Sequence, residues 1–128
     1  MSKEIIGDAI SGPGSRRLPF SKAVRAGDFV FLSGGLAFGP EGKLVRGDIE
    51  DQTRQVLNNV KATLEQAGGT LADVVKCTVC LADPRDFADF NKVYAEFFDK
   101  EPPARSTVRA DLMIDAKVEL EVVAYKPI

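Results

Sequence analysis

Two stretches of helical periodicity are set among stretches of period two, and this alternation constrains the fold more than any other feature of the chain. In the first, Val56, Val60, Leu64 and Ala67 recur at helical spacing and Leu57 widens the same stripe. Asp48 stands before it as an N-cap, and Glu50 and Asp51 put negative charge in the first turn, where the backbone dipole favours it. Gly68-Gly69 ends it. The second stretch follows Asp83-Pro84, an N-cap with proline at the first helical position. It carries Phe87, Phe90, Tyr94, Phe97 and Phe98 on one side, a stripe that reads as core, and stops before Pro102-Pro103.

Strand patterns fill the remainder. Ser21 to Arg25 and Asp28 to Ser33 form an expected hairpin joined by Ala26-Gly27. Phe29, Val30, Phe31 and Leu32 are apolar on both faces, which suits a central strand covered on both sides. Ser33-Gly34-Gly35 breaks that run, and Pro40 to Lys43 reads as a turn before a short strand over Leu44 to Arg46. In Val74 to Ala82 the residues Val75, Cys77, Val79 and Leu81 alternate toward one face. Ser106 to Ala110 and Lys117 to Tyr125 follow; in the latter Val118, Leu120, Val122 and Ala124 face one way and Lys117, Glu119 and Glu121 the other. The first 18 residues show no periodicity and read as an arm beside the core. The order β-β-β-α-β-α-β-β predicts one α+β domain over residues 1–128, with two helices on one face of a mixed sheet. Two helices cover only one face. The other carries both apolar groups and charges, the make-up of a subunit interface, so a homo-oligomer is expected.

Composition narrows the chemistry. The 128 residues include no histidine, which excludes His-based triads, His-ligated zinc and His general bases. No metal and no cofactor is called for. Seventeen basic residues against 19 acidic leave a net charge of -2, without the basic excess that a phosphate backbone demands, so nucleic acid is a poor partner. The N-terminus lacks a signal-peptide pattern and no apolar run approaches a membrane span, so a cytoplasmic protein without membrane partner is expected. Cys77 and Cys80 match C-x-x-C, but residues three apart on a strand point to opposite faces, so the pair reads as two ordinary thiols.

Three further features carry chemistry. Ser33-Gly34-Gly35 is either a tight bend or a source of free N–H groups for an anion. Arg105 follows the stiff Pro102-Pro103-Ala104 approach and can clamp a carboxylate through two parallel hydrogen bonds. Glu119 stands mid-strand on the face away from the helices, either as part of a solvated face with Lys117 and Glu121 or as a site carboxylate.

The segments Pro19-Phe20-Ser21-Lys22-Ala23, Phe29 to Gly34, Gln52 to Lys61, Val74 to Val79, Phe90 to Phe98 and Pro103-Ala104-Arg105-Ser106-Thr107-Val108 together resemble the Rid, or YjgF-like, family, named for reactive intermediate deamination. The resemblance implies a chorismate-mutase-like α+β fold and a homotrimer with three clefts between subunits. It implies hydrolysis of reactive enamines and imines, such as 2-aminoacrylate and 2-imino acids, to 2-keto acids and ammonia. By the same resemblance Arg105 binds the substrate carboxylate and Glu119 positions the hydrolytic water. Asn91 lies near the cleft, and Ser33 with Gly34 forms its S-G edge. Phe20 stands where the family has tyrosine, which removes a hydroxyl from the cleft. Thr107 stands where cysteine or serine is common; it can offer its hydroxyl and carbonyl to a water. The alternatives are a pathway-specific deaminase such as one for 2-aminomuconate, a non-catalytic ligand-binding trimer, and an endoribonuclease or translation inhibitor.

Overall fold

The computed structural model describes residues 2–12, 14 and 16–128. Six strands form one mixed sheet: β1 (Glu4–Ile6), β2 (Ala23–Ala26), β3 (Phe29–Leu32), β4 (Val74–Leu81), β5 (Ala104–Arg109) and β6 (Val118–Tyr125). Their spatial order is β1-β2-β3-β6-β4-β5, with β4 and β5 parallel and the other neighbours antiparallel. Two helices, α1 (Ile49–Gln66) and α2 (Phe87–Phe97), pack on one face. This is the expected α+β architecture.

α1 begins and ends for the expected reasons. Asp48 accepts a hydrogen bond from the Asp51 amide at 2.9 Å. At the other end Gly68 takes φ +82°; its amide donates to the Glu65 carbonyl and that of Gly69 to the Leu64 carbonyl. Only a residue without Cβ takes this left-handed position freely, and the two bonds together make a Schellman closure. Val56, Leu57, Val60 and Leu64 are buried as their spacing predicts. α1 also buries Gln52. The amide of this side chain donates to the Val45 carbonyl at 3.1 Å and its oxygen accepts from the Lys117 amide at 2.9 Å, so both ends of the group are partnered. In β6 Val118, Leu120, Val122 and Ala124 are each at most 1% exposed and meet the helices.

Several expectations are corrected. The β strand nearest the N-terminus is Glu4–Ile6, an edge strand paired with β2, and it lies inside the segment expected to be an arm. Three residues are too few to show a period. Residues 1, 13 and 15 of that arm lie outside the described residues. Leu44 to Arg46 is not a sheet strand; Leu44 makes one isolated bridge to Phe38 around the Pro40–Lys43 turn. In the β2–β3 hairpin Ala26 pairs with Phe29, so the turn is Gly27-Asp28, with Gly27 at φ +59°. β3 is covered on one face only: Val30 and Leu32 are buried, whereas Phe29 and Phe31 are 41% and 46% exposed. In β4 a bulge between Val74 and Lys76 shifts the register, so Val74 and Cys77 both point into the core and Val75 faces out. In α2 Phe90, Tyr94 and Phe98 are buried with Val93, but Phe87 is 43% exposed. β5 begins at Ala104, so Arg105 belongs to the strand itself.

Sequence patterns give no hint of the role of Arg25. Its guanidinium is buried and donates to the carbonyls of Lys126 at 2.7 Å and Ala67 at 3.1 Å. It thereby joins β2 to the C-terminal tail and to the electronegative end of α1.

Candidate active site

The open face of the sheet holds the first group of candidate residues. After β3 the chain bends at Ser33-Gly34-Gly35 and clips onto β6 through a pair of bonds: the Gly35 amide donates to the Leu120 carbonyl at 2.8 Å and the Leu120 amide to that of Gly35 at 3.0 Å. The Ser33 amide donates to the Lys22 carbonyl at 3.0 Å, and its hydroxyl donates to the Ser21 carbonyl. The bend is therefore a structural clip, with two of its three amides committed. Its second role comes from what Gly34 lacks. A Cβ there would stand 2.9 Å from Glu119 Oε2 and 3.1 Å from Glu119 Cδ, so only glycine lets this carboxyl lie against the backbone. Gly34, Thr78, Cys80, Glu119, Leu120 and Glu121 line a shallow concavity of about 240 Å³. Cross-strand register sets Cys80 beside Glu119 and Thr78 beside Glu121. Burial, then the charges of Glu119 and Glu121, push the Cys80 thiol above its usual range. Phe20 precedes Ser21, with its ring half exposed.

A second group lies on the helix side. In the parallel β4–β5 pair Arg105 is level with Cys77 and Thr107 with Val79, so both side chains share the face of buried Cys77 and Val79. Arg105 Cζ lies 4.7 Å from the centroid of the Tyr94 ring, 5.5 Å from that of Phe90 and 5.7 Å from that of Phe87. Among the described residues no carboxylate comes within 4.0 Å of its guanidinium. Tyr94 Oη lies beside the Cys77 thiol and Arg105, yet among the described residues it is buried without a hydrogen bond of good geometry; burial drives its pKa up. Burial likewise pushes the Cys77 thiol up to about 11. Thr107 Oγ1 is buried and unpartnered among the described residues. Asn91, half-buried on α2, lies one helical turn from both Phe87 and Tyr94.

The expected site residues thus fall into two sets. Glu119 and Gly34 meet on the open face, with Ser33 and Phe20 at the adjoining bend. Arg105, Thr107 and Asn91 gather on the helix side at the sheet edge. Within one chain the sheet separates the arginine from the glutamate. Cys77 and Cys80 are free thiols on opposite faces, as their spacing requires. Sequence reasoning missed Thr78, Cys80 and Glu121 as cleft walls, because cross-strand neighbours are invisible in a linear chain. It also assigned Phe87 and Tyr94 to the core alone, although both rings face Arg105. Among the described residues no group of three or more Cys, Asp or Glu side chains is arranged to hold a metal ion, and no helix is long and apolar enough to cross a membrane.

Comparison with known proteins completes the picture. The family model described as endoribonuclease L-PSP matches residues 14–126. A RutC family protein of Pyrococcus horikoshii is 51% identical over 110 residues, covering 84% of this chain and 87% of the relative. The chloroplastic Reactive Intermediate Deaminase A of Arabidopsis thaliana is 46% identical over 108 residues, covering 83% of this chain and 58% of that longer protein. Its chloroplastic location shows that such relatives are not confined to the cytoplasm. The crystal structure of E. coli TdcF with bound serine superposes with a TM-score of 0.85 at 37% identity, covering 96% of this chain and 98% of that one. A family model spanning most of the chain, relatives near half identity and a shared fold agree with the motifs around Arg105 and Glu119: the chain belongs to the Rid family, whose shared model is described as endoribonuclease L-PSP.

Proposed function

We propose that the protein hydrolyses 2-imino acids, and the 2-enamino acids that tautomerise to them, at sites formed between copies of the chain in a homotrimer. The observation that carries this reading is Arg105, an arginine seated on aromatic rings with no carboxylate among the described residues within 4.0 Å. A guanidinium so held is ready for a ligand carboxylate. The bound serine of TdcF, itself a small amino acid, agrees with such a ligand.

The reaction needs little from the protein. In a protonated imine, C2 is already electrophilic. Arg105 holds the carboxylate, and Glu119 accepts a proton from one water as its oxygen bonds to C2. Glu119 returns that proton to the nitrogen of the resulting carbinolamine; the C–N bond breaks as C2=O forms, the hydroxyl proton passing back to Glu119 and on to solvent, and the products are a 2-keto acid and ammonia. Positioning and one proton shuttle account for the work, which a histidine-free chain can supply. Thr107 and Asn91 would flank the carboxylate end; Gly34 and Ser33 would flank the water.

The separation of Arg105 from Glu119 supports a shared site. A two-fold pair and a closed ring both set Arg105 of one copy against Glu119 of another; the family resemblance points to the ring of three. The open face, with Phe29, Phe31 and Tyr125 exposed beside Glu119 and Glu121, has the mixture such a contact needs.

The test is to generate 2-iminobutyrate in situ with an amino-acid oxidase and follow 2-oxobutyrate. Acceleration by the wild type, lost by about 100-fold or more in both Arg105→Ala and Glu119→Ala, is the expected result. No acceleration by the wild type, with 2-oxobutyrate still bound, would leave a ligand-binding trimer in place of an enzyme.

A further inference from the structure

We propose that Tyr94 is the positioning residue of Arg105: its ring face, flanked by Phe90 and Phe87, fixes the guanidinium plane and leaves the N–H fork free for a substrate carboxylate. This deepens the function proposed above and rests on Arg105 being the carboxylate clamp.

Three other arginines show the contrast. Arg54 pairs with Glu96 at 3.2 Å and Arg85 with Asp83 at 2.7 Å, and Arg25 is consumed by backbone carbonyls. Arg105 instead meets three rings, with Tyr94 nearest at 4.7 Å. Stacking on a ring face attracts the cation without using its N–H groups, all of which lie in the guanidinium plane. An acidic neighbour would occupy those donors and compete with the ligand. The ring is itself held fast. Tyr94 is 6% exposed and packs at a tilt between Phe90, 5.4 Å away between centroids, and Phe98, 4.8 Å away, each one helical turn along the chain. A long arginine side chain on an edge strand is thereby ordered before the ligand arrives, which removes a cost of binding. Tyr94 Oη lies beside the guanidinium without a hydrogen bond of good geometry among the described residues, so the seat is assigned to the ring face and not to the hydroxyl.

The test measures binding of 2-oxobutyrate, a stable carboxylate probe, by NMR titration, together with KM and kcat for 2-iminobutyrate. Tyr94→Leu weakens 2-oxobutyrate binding about tenfold and raises KM by a similar factor while kcat changes less than about threefold. Tyr94→Phe stays within about twofold of wild type. The Arg105 Nε–H resonance, identified by its loss in Arg105→Ala, moves in Tyr94→Leu and not in Tyr94→Phe as the ring current is removed or kept. A folded Tyr94→Leu protein with unchanged binding would overturn the proposal, as would a loss equally large in Tyr94→Phe, which would assign the effect to the hydroxyl. Should Tyr94→Leu not fold, Phe87→Leu reads the same seat from a half-exposed ring: severalfold weaker binding supports it and unchanged binding overturns it. If Arg105→Ala binds 2-oxobutyrate as wild type does, the clamp reading itself fails; if it weakens binding and the ring variants do not, only the seat fails.

Discussion

The Cβ that Gly34 lacks is the most exacting requirement at the level of single residues. Gly34→Ala would place a methyl 2.9 Å from Glu119 Oε2, and the side chain that must move is the one assigned to the water. We expect turnover of 2-iminobutyrate to fall tenfold or more with little change in thermal stability, because Gly34 is exposed and its φ is not left-handed. Cys77 makes a different prediction. Its folded pKa of about 11 lies above the ordinary 9.0, so the native state keeps the proton that the unfolded state releases. The resulting stability is whole below pH 9 and is lost as pH rises toward 11, a swing of about 2–3 kcal/mol. Denaturant titrations at pH 8 and pH 10.5 should show a steeper alkaline loss in wild type than in Cys77→Ala. The face that Glu119 takes was legible in the alternation of the last strand, and Arg105 was singled out by its proline-led segment and by the family resemblance. Tyr94 and Cys80 were not, since a ring beneath a cation and a thiol beside a carboxylate are set by contacts across elements.

At the level of elements, capping located α1, and periodicity located both helices and the β6 strand; the Asp83-Pro84 pair instead opens a 3-10 turn over Pro84–Asp86, and α2 begins only at Phe87. What escaped was short or irregular. Glu4–Ile6 has three residues and no period, and the β4 bulge reverses which face Val74 and Val75 occupy without any mark in the local pattern. Arg25 escaped as well: a charged residue in a four-residue strand looks solvent-facing until the tail and the end of α1 close over it. Arg25→Met leaves the partly buried carbonyls of Ala67 and Lys126 without this donor and should cost about 1–3 kcal/mol in equilibrium unfolding, with activity retained by the folded fraction. A loss below about 0.5 kcal/mol would show that water replaces the guanidinium at no cost.

For the whole molecule, the fold class was legible and the division of the site was not. Alternation along one strand shows which residues share a face of that strand. Which face Arg105 takes depends on how β5 is registered against β4, a long-range pairing that no local pattern encodes. That register puts Arg105 with Cys77 on the helix side, and Glu119 lies with Cys80 on the open face. In the function proposed, each chain supplies two half-sites and a second copy joins them. The most direct measurement mixes two inactive variants, Arg105→Ala and Glu119→Ala, under conditions of verified subunit exchange, and assays 2-iminobutyrate hydrolysis. A site shared between neighbours is restored wherever an intact Arg105 from one variant meets an intact Glu119 from the other, so an equal mixture should recover about a quarter of wild-type activity. A mixture that exchanges subunits and stays as inactive as its components would contradict the account.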